Sequence, residues 1–206
     1  MKKVIFYTII LSTIIAVSCK EKKAESTKSE PAEQNYSIDL QNTVLNWTAY
    51  KTTDKIPVKG VFKEVKINKD KVSTSVIGVL DGLEFEIPVS SINSNDSIRD
   101  AKLKEFFFGV MKNTIKLSGK FHPENSGKGL ISLTMNGLTK DLPFSFDVRD
   151  DIIEVNATMN LDNWQAQSAI EALNVVCNDK HKAADGISKT WNEVSINALI
   201  KVITKE

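Results

Sequence analysis

The chain has 206 residues, 41% of them hydrophobic and 26% charged, with 27 basic residues against 26 acidic ones. A balance this close to neutral provides no broad positive field, which argues against nucleic acid as a partner. Only two cysteines are present, Cys19 and Cys177, which excludes a disulfide-rich scaffold.

The first segment reads as a processing signal. Met1-Lys2-Lys3 is basic, Val4 to Val17 is a 14-residue apolar run broken only by Thr and Ser hydroxyls, and Ala16-Val17-Ser18-Cys19 is a small-residue cleavage site. The run falls short of the about 20 residues that cross a bilayer, so residues 1–18 are expected to be a signal peptide. Ala-Val-Ser-Cys resembles the lipobox of bacterial lipoproteins, although Ala16 stands where Leu is commonest. That resemblance implies a lipid anchor on Cys19, with diacylglycerol on the sulfur and an acyl chain such as palmitate on the amino group, and hence stable membrane attachment. An ordinary signal peptide with a chance cysteine is the alternative.

Without Lys2 and Lys3 the basic residues fall to 25 against 26 acids, and Cys177 has no intramolecular partner. After Cys19, residues 20–36 carry no aliphatic side chain larger than Ala. Such a stretch cannot offset its ordering entropy, so residues 19–36 are expected to be a lipid-anchored disordered linker. About 170 residues remain, 37–206, which suits one domain with a sizeable core.

From Asn42 onward short alternating segments predict antiparallel strands with one buried face. In chain order they are Leu45/Trp47/Ala49, Val58 to Ile67, Val72 to Leu80, Leu83 to Val89, Ile115 to Phe121, Ile131 to Met135, Leu142 to Val148, Val155 to Leu161, and Val194 to Val202. Turn signals separate them at Asp81-Gly82, Asn125-Ser126-Gly127, Asn136-Gly137 and Asp150-Asp151. These nine segments include pieces that could belong to one longer strand.

Two stretches change period. Ser97 to Met111 places Ala101, Leu103, Phe106, Phe107 and Val110 at near-helical spacing, with Asp100 near the positive end. Gln165 to Asn178 places Ala166, Ala169, Ile170, Leu173, Val176 and Cys177 on one helical face. An all-β protein of this size with two short helices is expected to close into an antiparallel β-barrel of about eight strands, with a packed sandwich as the alternative.

Catalytic readings find little support. His122 and His181 are the two histidines, and neither sits in a nucleophile-elbow context. Cys177 and His181 stand four residues apart, short of the three or four ligands a metal needs. No phosphate-binding or dinucleotide motif and no haem-attachment motif is present. The expectation is a protein that is not an enzyme, with no metal and no cofactor.

The segments Val58-Lys59-Gly60-Val61-Phe62, Val89-Ser90-Ser91-Ile92-Asn93, Ser97-Ile98-Arg99-Asp100-Ala101-Lys102-Leu103, Phe106-Phe107-Phe108-Gly109-Val110 and Leu133-Thr134-Met135-Asn136-Gly137-Leu138-Thr139-Lys140 resemble, in order and spacing, the YceI-like polyisoprenoid-binding family. The family usually carries His where Lys102 stands, a Tyr-Pro-like pair at Asn113-Thr114 and an Arg-containing turn at Asp162-Asn163-Trp164. The resemblance implies a lipocalin-like barrel in the cell envelope whose lumen takes an isoprenoid or other lipid-like ligand.

The inward candidates for that lumen are Phe62, Phe85, Ile87, Leu117, Phe121, Phe144 and Phe146 from strands, with Phe106, Phe107 and Leu173 from the helices. The pattern alone allows the same residues to fill a solid core. Trp47, Trp164 and Trp191 suit a rim or plug, where an indole packs its ring and keeps its N–H polar. Arg99 either meets a phosphate or carboxyl headgroup at the mouth or forms a loop salt bridge.

The expected function is to carry or sequester a long apolar or amphiphilic ligand, a polyisoprenoid, quinone or fatty acyl chain. The alternative is an envelope interaction module with a solid barrel core, its protein partner unknown, and a weaker one is an enzyme acting on such lipids. Lys20 after the anchor lacks the Asp associated in some bacteria with inner-membrane retention, which favours the outer membrane, periplasmic or surface-facing.

Overall fold

The computed structural model describes residues 34–205. The expected signal segment 1–18, Cys19 and most of the linker 19–36 lie outside the described residues. Ten strands form one antiparallel sheet: β1 (Asn35–Lys51), β2 (Ile56–Phe62), β3 (Lys66–Ile67), β4 (Glu84–Pro88), β5 (Ile92–Asn93), β6 (Lys116–Pro123), β7 (Lys128–Met135), β8 (Leu138–Arg149), β9 (Ile152–Asn160) and β10 (Thr190–Lys205). β1 therefore starts at Asn35, and residues 35 and 36 of the expected linker lie in it. No helix among the described residues is long and apolar enough to cross a membrane.

The expected eight strands become ten because two of them are broken. β2 and β3 are separated by only Lys63, Glu64 and Val65, and β4 and β5 by the 3₁₀ turn Val89–Ser91. β2 pairs with β5 through Val61↔Asn93 and Phe62↔Ile92, while β3 pairs with β4 through Lys66↔Glu86 and Ile67↔Phe85. The two broken strands thus run side by side with a slip of register between the pieces. Through them the sheet curls round from β1 and β2 to β4 and β6, while β1 also pairs with β10 on its other edge.

Alternation sorts the side chains as the period demands. On β9, Ile153, Val155, Ala157 and Met159 are buried, and on β7, Ile131, Leu133 and Met135 are buried. The hairpin residues Asn136 and Gly137, and also Asp150, Gly82 and Gly127, have positive φ, which these residue types tolerate. Each turn signal read from the sequence therefore falls at a tight reversal of the chain.

Three inward aromatic rings are seated on glycines directly opposite them in the ladder. Trp47 pairs with Gly60, Phe85 with Gly119 and Phe144 with Gly129. A Cβ on Gly119 would come 2.5 Å from the Phe85 ring, and one on Gly129 would come 2.6 Å from that of Phe144. Glycine at these positions lets each ring lie along the wall. Phe85, Phe121, Phe144 and Phe146 then continue as a chain of rings with centroids 5.3, 5.5 and 6.0 Å apart, each contact worth about 0.5–1.5 kcal/mol beyond burial.

Two expectations need correction. Val72 to Leu80 is no strand: it makes one bridge, Tyr36↔Ser73, and then a 3₁₀ turn over Ile77–Val79. Adjacent Val79 and Leu80 are both fully buried, against the alternation of a strand with one wet face, and the hydroxyls of Ser73 and Ser75 take backbone N–H groups of Ser75 and Gly78. The first helix is also irregular, an α-helical segment α1 (Ser97–Lys102) running into a π-turn over Leu103–Phe107 and a 3₁₀ turn over Phe108–Val110. The change of winding buries consecutive Phe107 and Phe108, whose rings meet edge-on at 4.9 Å, and leaves Phe106 half-buried.

These turns and the later helices α2 (Gln167–Val176) and α3 (Asn178–His181) cap one end of the barrel. Ala166, Ala169 and Leu173 supply the buried face of the second helical stretch, the alanines allowing close approach. Trp164 is fully buried and donates from Nε1 to the Leu133 carbonyl at 3.0 Å. Asn136 ties hairpin to cap: its Oδ1 accepts from Lys112 N at 2.7 Å, and its Nδ2 donates to the carbonyls of Trp164 and Gln165.

The Gly60 seat is the most exacting of the three. A Cβ there would sit 2.6 Å from the Asn93 carbonyl and against the six-membered ring of Trp47. Gly60→Ala is expected to lower the urea unfolding free energy by about 1–3 kcal/mol. An unchanged midpoint would show that Trp47 can leave its seat freely.

Candidate functional site

Two internal spaces lie one above the other along the inner faces of the same strands. The deeper is a cavity of about 100 Å³ whose lining includes Leu45, Phe62, Phe85, Ile87, Leu117, Phe121, Leu142, Val155, Ala157, Met159, Ala198 and Ile200, and in which Thr43 is the sole polar residue. The second, of about 330 Å³, opens between the barrel and its helical cap. On β1 the step from Leu45 to Trp47 passes from one to the other, and on β2 Phe62 belongs to the cavity and Val58 to the mouth. Trp47, seated against Gly60, lines the mouth and not the cavity.

The mouth is amphipathic. Trp47, Ala49, Val58, Leu103 and Leu173 form its apolar wall, while Lys51, Asp96, Arg99, Lys102, Lys180 and His181 form its polar one. Arg99 is held by Asp96, Nη2 to Oδ2 at 3.3 Å, and its backbone N–H is capped by Asp96 Oδ1 at 3.0 Å. That backbone bond, with the Arg99 charge, holds the Asp96 carboxyl below its ordinary range. Asp100 is not the partner of Arg99: it is buried and accepts from the backbone and hydroxyl of Ser94 at 2.9 and 2.6 Å. Lys102 Nζ donates to the Val176 carbonyl at 2.7 Å, satisfying the end of α2.

His181 stands at the same mouth with its pKa lowered to about 4, first by burial and then by the charges of Lys51 and Lys102. Its Nδ1 lies 2.7 Å from Thr190 Oγ1, which donates its proton to Asn174 Oδ1. The imidazole therefore donates from Nδ1 and keeps Nε2 as an acceptor. Burial also pushes the Cys177 thiol up, against the pull of the nearby cations, so it is not an activated nucleophile. Among the described residues no group of three metal-ligating side chains converges.

The expected site residues divide between these spaces and the packing around them. Phe62, Phe85, Ile87, Leu117 and Phe121 line the cavity, and Trp47, Leu173 and Arg99 line the mouth. Phe144 is buried behind Phe121, with Phe146 half-buried beyond it. Phe106 and Phe107 belong to the cap, and Trp164 is a plug with no face on either space. Trp191 lies outside both, donating to the Thr52 carbonyl at 2.7 Å under the ammonium groups of Lys55 and Lys189. Lys51, Lys102, Lys180 and His181 were not expected at the mouth; they come from three distant segments, and no local spacing marks them.

A larger but shallow groove of about 620 Å³ runs over the outside of β1, β9 and β10. Its Asn46, Asn156 and Asn197 side chains bond one another across the strands.

A curled antiparallel barrel with an apolar cavity below a half-polar mouth is the architecture of small barrels that hold one ligand. The chain belongs to the YceI-like domain family, whose match spans residues 36–202. A polyisoprenoid-binding domain from Saccharophagus degradans, implicated in plant cell wall breakdown, has a similar fold at 11% identity and a TM-score of 0.60, covering 82% of this chain and 98% of its own. A mutant YceI protein of Campylobacter jejuni is similar at 17% identity and a TM-score of 0.50, over 72% of this chain and 85% of its own. A search of curated proteins finds no match.

The histidine gives a pH test with a defined sign. Its folded pKa of about 4 lies below the ordinary 6.5, so its contribution is complete above that value and is lost as pH falls toward 4. With Lys51, Arg99, Lys102, Lys180 and Asp96 around it and solvent on one side, the loss is expected to be on the order of 1 kcal/mol. Urea midpoints at pH 7 and pH 4.5 should therefore differ less for His181→Gln than for the wild type; an equal difference in both would remove His181 as the cause.

Proposed function

We propose that this protein carries or sequesters a single long apolar chain, such as a polyisoprenoid, quinone or fatty acyl group, in its barrel, and that it works without catalysis. The observation that carries the reading is a cavity lined by hydrocarbon but for Thr43, with a half-apolar mouth bordered by the next inward residues of β1 and β2. Family membership and the polyisoprenoid-binding relative support it. Each buried CH₂ contributes about 0.8 kcal/mol, so about ten of them outweigh the lower part of the range for ordering a bound ligand. Anchorage through a lipid on Cys19, at the outer membrane, is part of the same proposal and rests on the Ala-Val-Ser-Cys sequence.

The empty cavity is small. At about 100 Å³ it lies below the roughly 300 Å³ and upward of ordinary ligand sites, so loading requires the wall to give way. Leu40 and Thr43 at the bulge of β1, and Val65 and Ile67 at the break between β2 and β3, line it, and there the ladder is already interrupted. The same small volume is the one observation favouring the other reading, an envelope interaction module with a solid barrel.

Native mass spectrometry and solvent extraction of protein purified from its own envelope should find one lipid-like molecule per chain. Ala198→Phe, which fills the cavity from the wall of β10 at a folding cost of about 1–3 kcal/mol, should reduce that occupancy about tenfold or more. Protein that is consistently lipid-free, or occupancy unchanged in Ala198→Phe, counts for the solid module.

A further inference from the structure

We infer that the mouth selects an amphiphile with an anionic headgroup, a carboxylate or phosphate, over a neutral one of the same chain length. This rests on the carrier reading above and specifies the head that such a chain bears. Four cationic side chains, Lys51, Arg99, Lys102 and Lys180, line the mouth against one carboxylate, Asp96. The chain as a whole is near neutrality, so the excess is local.

Asp96 is already committed to Arg99. Among the described residues Lys51, Lys102 and Lys180 form no ion pair. Lys51 and Lys102 are half-buried, at the end of β1 and in α1, while Lys180 is exposed on α3. Like charges held together in a partly desolvated space repel, and an anion between them removes that cost. Lys102 is positioned for this: one N–H is fixed on the Val176 carbonyl, and an ammonium has two more to offer.

A second observation points to an acceptor at the same place. The Trp47 indole Nε1 is buried and has no hydrogen-bond partner among the described residues, although its ring borders the mouth. A buried donor left unmade is costly, and a carboxylate or phosphate oxygen in the mouth could accept from it. Burial lowers the His181 pKa first, and the charges of Lys51 and Lys102 lower it further, in keeping with a positive mouth. His181 stays neutral, so the field that draws an anion comes from the lysines and arginine and persists from about pH 5 upward.

The test uses the full-length chain, freed of co-purified lipid, with three probes: hexadecanoate, hexadecanol and inorganic phosphate. Hexadecanoate is expected to bind about tenfold or more tightly than hexadecanol. That gap should shrink as sodium chloride is raised from about 0.05 to 0.5 M. It should also shrink in Lys180→Gln, an exposed position that carries no fold, and further in Lys51→Met. Equal binding of acid and alcohol, or a gap indifferent to salt and to both variants, overturns the headgroup inference and leaves chain binding standing. Phosphate binding as tightly as hexadecanoate overturns it in favour of a free anion site. Binding of none of the three overturns the carrier reading together with it.

Discussion

The interior of this barrel depends on where its aromatic rings are allowed to lie. An inward Phe or Trp in a closed sheet either crosses the bore and fills it or lies along the wall, and lying along the wall requires a gap on the neighbouring strand. Gly60, Gly119 and Gly129 are those gaps, each opposite the ring it receives. The same pairs fix register, because a slip of one residue turns the glycine outward and drives its ring into a side chain. Stability and hollowness are therefore linked: the contacts that hold the strands in place also leave the central space apolar and unfilled.

The capped end obeys a different constraint, the satisfaction of polar groups. Trp164 closes the plug with a bond to the Leu133 carbonyl, and Asn136 joins the β7–β8 hairpin to the cap. Thr114 is buried, with its hydroxyl donating to the Lys112 carbonyl and accepting from Asn136 N–H. Thr114 and Trp164 thus serve to seal the cap. Lys102 opens onto the mouth and bonds the end of α2. Trp164 and Asn136 hold this end of the barrel together.

Much of the sheet was legible because its inner face strictly alternates: Leu83 to Val89 and Val155 to Leu161 could be read as strands by period alone. The first half of β1 was hidden by its bulge. Tyr36, Ile38 and Leu40 lie at even positions and Leu45, Trp47 and Ala49 at odd ones, because the register shifts between Asp39 and Val44. An alternation read back from Leu45 therefore stops at Asn42. Three consecutive phenylalanines, Phe106 to Phe108, hid the π-turn, since helical spacing cannot say which two of them face inward. Phe62, Phe85, Ile87, Leu117 and Phe121 lie on segments marked by strand period, whereas the mouth cations lie on β1, α1 and α3 and meet only after folding.

The interruptions of the sheet gain meaning beside the small volume of the cavity. A barrel paired along every strand widens only by breaking ladder bonds, each worth about 0.5–1.5 kcal/mol net. In this chain the regular ladder is interrupted at two places that touch the cavity, the bulge at Leu40–Thr43 and the break at Lys63–Val65. Single bonds replace it there, Lys201 N–H to Thr43 Oγ1 and Lys63 N–H to the Ser91 carbonyl. β9 and β10 pair without a break from Ile152 to Asn160, so the same sheet joins an unbroken wall to an interrupted one, and the proposed guest would find room at the interruptions.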